Sequence, residues 1–337
     1  MKTLLLLLSL ILLLFPSCSP DTTLSTRDIY LVSVADDFHN SSNTSNRLRT
    51  AVSDQAALIS QIETFGDVHV YSFVSQHGKR YISIPTVSNP EKTPSFKAAD
   101  KNCSLLSSSS DESFDHYEYI PSSGESEVDW SMDTVLETVS ELHTGEDDII
   151  IFTYSGHGDK KGGALITNAD GENYRTTNRE KIIEVFSSLS GNKIFFLDSC
   201  YSSYFISDTT LTTTDTFTSD EDQYEGEDYI GGIKKSTIVR TADTSPSLWI
   251  MASAGRKQTA SDSLSEGDST FQSHYGAFTY YLLKALGYNM DRNESERDSS
   301  PLTFYSLYSY IMSAFPSSEL KIQTPRASLK RLDIRLR

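Results

Sequence analysis

Residues 148–158 read DIIIFTYSGHG and residues 193–201 read KIFFLDSCY. Each is an unbroken apolar run closing on small and polar residues. A run that is apolar at every position, not at every second one, is buried on both faces, and strands of that kind make parallel sheets covered by helices on both sides. In such sheets ligands bind beyond the carboxyl ends of the strands. One run ends in Tyr154-Ser155-Gly156-His157-Gly158 and the other in Asp198-Ser199-Cys200-Tyr201, so neighbouring strands would set His157 and Cys200 in adjoining loops on one edge.

The flanking sequence keeps the same rhythm. Ile29–Ala35 (IYLVSVA), Val68–Val74 (VHVYSFV) and Leu248–Ala252 (LWIMA) read as further strands. Leu48, Val52, Ala56, Ile59 and Ile62 recur at three- and four-residue steps and form one helical face. Helices are expected near 131–142, 178–189, 277–286 and 303–314, with a small hairpin around Gly163–Thr167. Strands alternating with helices specify an α/β fold with a mostly parallel sheet. Two stretches break the pattern: 75–128, with four prolines, a serine run and an acidic tract, reads as an exposed insertion, and 207–247 as an acidic, Ser/Thr-rich linker.

A thiol beside an imidazole is the arrangement needed for acyl transfer, because the imidazole takes the thiol proton and later returns one to a leaving amine. Gly156 and Gly158 let the backbone approach a substrate and present an amide to a developing oxyanion. Two other readings stay open on spacing alone. In one, His157 is a turn cap above a buried, inert Cys200; in the other, Cys200 pairs with Cys103 in a disulfide.

The 337 residues suffice for a sizeable core, and a formal net charge of −17 disfavours nucleic acid as a partner. Hydrophobic residues make up 37%, low enough that polar segments must dilute the fold. Three cysteines without a CxxC pair exclude a disulfide scaffold and a zinc ribbon. Met1-Lys2 followed by the apolar run Leu4–Leu14 forms a secretory signal too short to span a bilayer. The run closes on Phe15-Pro16-Ser17-Cys18, which resembles a bacterial lipoprotein signal with Cys18 as the lipidated first residue, although Phe15 and Pro16 depart from the usual pattern. The expected organisation is a signal peptide at 1–17, a linker at 18–27 and one domain at 28–337 with the insertion 75–128 and the linker 207–247. The expected location is exported, lipid-anchored to a bacterial membrane, periplasmic or at the cell surface.

His-Gly after one apolar strand and Asp-Ser-Cys after the next, some 40 residues later, resembles the caspase and metacaspase cysteine peptidases. LRTAVSDQAA (48–57) resembles the metacaspase helix-one segment, ASAGRKQTASD (252–262) the stretch after the fifth strand, and GAFT (276–279) with YLLKAL (281–286) the helix after it. The similarity runs over about 27–315. It implies a three-layer sandwich with a mostly parallel six-stranded sheet flanked by helices. It also implies a peptidase with Cys200 as nucleophile, His157 as proton carrier and the amides of Gly158 and Cys200 as oxyanion hole. Asp54 and Asp198, with Ser253, would line a pocket for Arg or Lys before the cut bond, so the expected partner is a peptide or protein substrate with basic residues. No cofactor is required by the resemblance; calcium, which many metacaspases bind, is open, but Asp170 and Asp208 do not match the family's offsets. The linker 207–247 holds Lys234, Lys235 and Arg240 as candidate self-cleavage sites. Tyr201 and Ser203 replace the family's His and Gly beside the nucleophile, which touches pocket shape more than chemistry. A monomer is expected. Clostripain and the gingipains share the same dyad and basic preference, and the rival of another class is a catalytically silent caspase-like domain serving as a surface binding module.

Overall fold

The computed structural model describes residues 27–336, except 40, 42, 44–45, 87–91, 99–116, 123–124, 161, 171–172, 207–237, 240–246, 263–273, 299, 321 and 329–333. In chain order the strands are β1 (Ile29–Asp36), β2 (Val68–Gln76), β3 (Lys79–Ser83), β4 (Ser95–Ala98), β5 (Tyr117–Ile120), β6 (Ile149–Ser155), β7 (Leu165–Asp170), β8 (Asn173–Thr177), β9 (Asn192–Asp198), β10 (Ile238–Val239), β11 (Leu248–Ala252) and β12 (Arg326–Ser328). The helices are α1 (Ala51–Ile62), α2 (Met132–Ser140), α3 (Arg179–Ser187), α4 (Ala277–Leu286), α5 (Phe304–Ala314) and the short α6 (Ser317–Leu320).

The main sheet runs β10-β12-β11-β9-β6-β1-β2-β3. Its centre, from β11 to β2, is wholly parallel. The apolar strands explain this directly. Ile149 and Ile151 of β6, and Ile194 and Phe196 of β9, point to one face and pack with Phe278, Leu282, Leu286 and Phe304 of α4 and α5. Ile150, Phe152, Phe195 and Leu197 point to the other and pack with Val135, Val139, Ile182 and Phe186 of α2 and α3. Period-two alternation thus feeds two cores, and each fully buried side chain of this size contributes about 1.5–3 kcal/mol.

The mostly parallel three-layer arrangement is the expected one, but the sheet has eight strands, not six. The additional strands lie at the edges: β3 is antiparallel to β2 and β12 antiparallel to β11, with the two-residue β10 beside β12. They are short or polar (KRYIS, RAS), so no apolar run marks them.

Part of 75–128 is folded, contrary to its reading as exposed chain. Besides β3, the β4–β5 hairpin packs against α1, where Tyr119 is buried with Val52 and Val74 and its ring meets Phe96 at 5.5 Å and Tyr81 at 5.2 Å. The Gln76 side chain ties this hairpin to β2, accepting from Tyr119 N and donating to Tyr117 O, each at 2.8 Å. The small hairpin lies slightly later than expected, as β7 and β8. The signal segment 1–17, Cys18, Cys103, Asp208 and nearly all of the linker 207–247 fall outside the described residues. Among the described residues no helix is long and apolar enough to cross a membrane.

Candidate active site

β6 and β9 are neighbours, and their register pairs Ser155 with Asp198. His157 and Cys200 each lie two residues beyond that pair, side by side on the carboxyl edge. The two loops are pressed together. Gly156 N donates to Asp198 O at 3.2 Å, and a Cβ placed on Gly158 would stand 2.0 Å from the Cys200 carbonyl oxygen. Only glycine fits at that contact, which explains the second glycine of SGHG.

Cys200 is a free, partly buried thiol, and Cys103, its partner in the disulfide reading, lies outside the described residues. Residue 201 takes a left-handed backbone (φ 59°), turning the chain sharply after Cys200. The stretch after β11 wraps this turn: Ala260 N donates to Cys200 Sγ at 3.4 Å, Tyr201 N to Gln258 O at 3.0 Å and Ser203 N to Ala254 O at 3.0 Å. Burial pushes the thiol pKa up and the Asp198 carboxylate adds to this, while the Ala260 amide opposes it.

His157 is held from two sides. Its Nε2 lies 2.6 Å from the Asn46 carbonyl oxygen. A carbonyl only accepts, so Nε2 carries the proton and Nδ1 keeps the lone pair a base needs. The Phe38 ring packs on the imidazole at 4.4 Å between centroids. Burial pulls the imidazole pKa below its ordinary value, against the Asn46 carbonyl and the Asp262 carboxylate. Asn46 is itself anchored, its Nδ2 donating to Tyr174 Oη at 2.6 Å. Asp262 caps the start of α1, accepting from Arg49 N and from Thr50 N and Oγ1.

Asp54 and Asp198 converge beneath Gly276, where a Cβ would stand 2.5 Å from Asp198 Oδ2 and 3.2 Å from Asp54 Oδ2. Both are buried. Asp54 accepts from Gly276 N (2.9 Å) and Ser155 Oγ (2.7 Å), and Asp198 from Thr279 N (3.2 Å) and Oγ1 (2.7 Å). Burial raises both acids; the neighbouring Asp198 charge also raises Asp54, and Asp198 itself stands at about 6. Ser253 is fully buried, its hydroxyl accepting from Ser199 N and donating to Ser199 O, so it ties the Cys200 loop to β11.

The structure therefore gathers His157, Cys200, Gly158, Asp54, Asp198 and Ser253 at one end of the sheet. Reading the sequence had missed Asn46, Phe38, Ser155 and Thr279. Ser155 and Thr279 lie inside quoted motifs and were within reach. Asn46 acts through its carbonyl, which no side-chain pattern reveals.

A family profile described as the Caspase domain (Peptidase_C14) matches residues 38–331. No curated protein sequence matches significantly. Among solved structures, protein GSU0716 from Geobacter sulfurreducens is 14% identical at a TM-score of 0.40, covering 89% of this chain and 92% of that one. Caspase-1 from Spodoptera frugiperda is 10% identical at 0.42, covering 92% and 90%. A secreted C11 cysteine protease from Bacteroides thetaiotaomicron, solved with an irreversible peptide inhibitor, is 15% identical at 0.26, covering 52% and 43%.

Proposed function

From the premise that the chain belongs to the caspase domain family, through residues 38–331, we propose that it is a cysteine endopeptidase cutting after Arg or Lys. The observation that carries this is the matched offset of His157 and Cys200 beyond the Ser155–Asp198 pair, with Gly158 against the nucleophile's carbonyl. His157 Nδ1 takes the Cys200 proton as Sγ attacks the scissile carbonyl. The amides of Gly158 and Cys200 receive the oxyanion. Collapse breaks the C–N bond, His157 protonates the leaving amine, and a thioester remains on Cys200. Water, deprotonated by His157, then hydrolyses the thioester and frees the thiol. The Asn46 carbonyl holds the tautomer throughout, in the role a carboxylate plays in other triads. Each proton transfer runs through His157, and Cys200 carries the acyl group between the two halves.

The basic preference rests on Asp54 and Asp198, two carboxylates beside the nucleophile loop, whose charge matches a guanidinium or ammonium. The segment 1–17 with Cys18 supports export and lipid anchoring, and Lys234, Lys235 and Arg240 support self-processing within 207–247.

One observation favours the silent binding module instead: both pocket carboxylates already accept from Gly276, Ser155 and Thr279 of the chain itself. Fluorogenic peptides ending in Arg, Lys or Asp separate the readings. Residues 19–337, reduced, with and without calcium, should cleave after Arg or Lys and lose this activity in Cys200→Ala. Cleavage only after Asp overturns the pocket assignment, and no cleavage under any condition puts the silent domain first.

A further inference from the structure

A second group of chemistry-bearing side chains lies on the same edge, two strands from the dyad. β1 and β2 pair in parallel, with Asp36 opposite Ser75 and Asp37 N donating to Ser75 O at 3.2 Å. Just past their ends stand Asp37, His39 and His77, and one ligand-type atom from each, a carboxylate oxygen and two ring nitrogens, lies within 4.8 Å of the others. The grouping is not local in sequence, because His77 follows β2 some 40 residues after Asp37.

Five observations make this a built arrangement. The Asp37 carboxylate is 1% exposed and sits next to Asp36, which is fully buried. Its two oxygens accept from the backbones of the other two members, Oδ1 from His39 N at 3.1 Å and Oδ2 from His77 N at 2.7 Å, which fixes both histidines around it. His39 Nδ1 is buried with no hydrogen-bond partner. Phe38 and His77 hold left-handed backbones at φ 54° and 52°, a strained conformation for bulky side chains. The histidine rings face each other edge-on at 5.4 Å.

We propose that Asp37, His39 and His77 form a binding site for a divalent transition-metal ion of the zinc class. Two imidazoles and one carboxylate are a donor set for zinc and its neighbours; calcium and magnesium take oxygen ligands. Bonds of about 2.0–2.1 Å in a tetrahedron put the ligand atoms roughly 3.3 Å apart, so the group closes by about 1.5 Å or less, within reach of a rotation of the exposed His77. The buried Asp37, the partly buried His39 and the exposed His77 leave an entry from solvent on the His77 side, where water takes the fourth position. Charge favours a cation: the Asp36 carboxylate acts on Asp37 and the Glu118 carboxylate on His77, against the Arg47 guanidinium acting on His39. The backbone hydrogen bonds to Asp37 supply the outer support that ligating carboxylates need.

The bound ion would clamp the end of β1 to the end of β2. That clamp reaches the dyad, because Phe38, between two of the ligands, packs on His157, and Leu48 N donates to Asp37 O at 2.9 Å, closing the loop that carries Asn46. The site does not depend on the peptidase reading.

The test is calorimetric titration of the full chain with Zn2+, with Co2+ absorption as a spectroscopic probe. It is done in Cys200→Ala so that the dyad thiol is not a ligand. His39→Gln and His77→Asn are compared, asparagine being chosen because it tolerates the left-handed backbone. One equivalent of Zn2+ should bind and raise Tm, and each histidine variant should melt like the parent without metal but bind roughly 100-fold more weakly or worse. Absence of saturable binding overturns the proposal, as does unchanged affinity in either variant. Binding seen in the parent but lost in Cys200→Ala places the metal on the dyad and overturns it equally.

Discussion

At Asp198 burial and chemistry pull against each other. The side chain is buried beside the equally buried Asp54, and its pKa stands at about 6 in the folded chain, raised first by burial. Unfolded, an aspartate titrates near 3.9. The folded state therefore holds this proton more tightly, so the group's contribution to stability is complete below the unfolded value and is lost as pH rises through about 6. Asp198→Asn removes the titration while keeping an acceptor for Thr279 Oγ1. Thermal melts from pH 4 to 7 should show the parent losing stability relative to the variant across that interval, and parallel curves would contradict the assignment. On the proposed reading the same cost is useful, since an incoming Arg or Lys stabilises the charged pair that the protein alone disfavours. Cys200 and His157 show the same logic: burial raises the thiol and lowers the imidazole, which favours the neutral form of both.

Between elements, the decisive contact is the one where the loops after β6 and β9 touch. Gly158 meets the Cys200 carbonyl so closely that one methyl group must push the strand ends apart. Gly158→Ala should cost about 1–3 kcal/mol of stability by overpacking and, on the proposed mechanism, lower kcat/KM by roughly 100-fold or more, because the amide proposed to receive the oxyanion moves. Denaturant melts and peptide kinetics on the same preparation check both; a variant as active as the parent would remove Gly158 from the oxyanion hole. This contact also shows what the sequence made legible. The five central strands could be read because their runs are mostly apolar and too continuous to alternate, and SGHG and DSCY could be placed at their ends by the rule for parallel sheets. β3 could not, because its buried Arg80 takes its hydrogen-bond partners, Asp129 and the Trp130 carbonyl, from about 50 residues away. Asp54 meets Asp198 only through the folding of α1 and α4 over the sheet. Phe38 on His157 and Tyr174 on Asn46 depend on loop paths without any periodic signal.

Across the whole molecule, the linker 207–247 joins two strands that do not need it to stay together. β9 and β11 are parallel neighbours, registered from Lys193–Leu248 to Leu197–Ala252, and Lys193 N donates to Ser247 O at 2.6 Å. The part after the linker brings Trp249, Met251, α4 and α5 to one core, while Leu248 and Ile250 enter the other. A chain cut at Lys234, Lys235 or Arg240 would thus keep both cores and the dyad loop, whose Cys200 accepts from Ala260 across the cut. The parent should run as two fragments on a denaturing gel yet elute as one species in native gel filtration, with a new N-terminus at 235, 236 or 241. Cys200→Ala should remain a single chain of 337 residues, less any signal segment removed on export. Fragments in Cys200→Ala would assign the cut to another protease, and dissociation of the cut parent would contradict the packing described here.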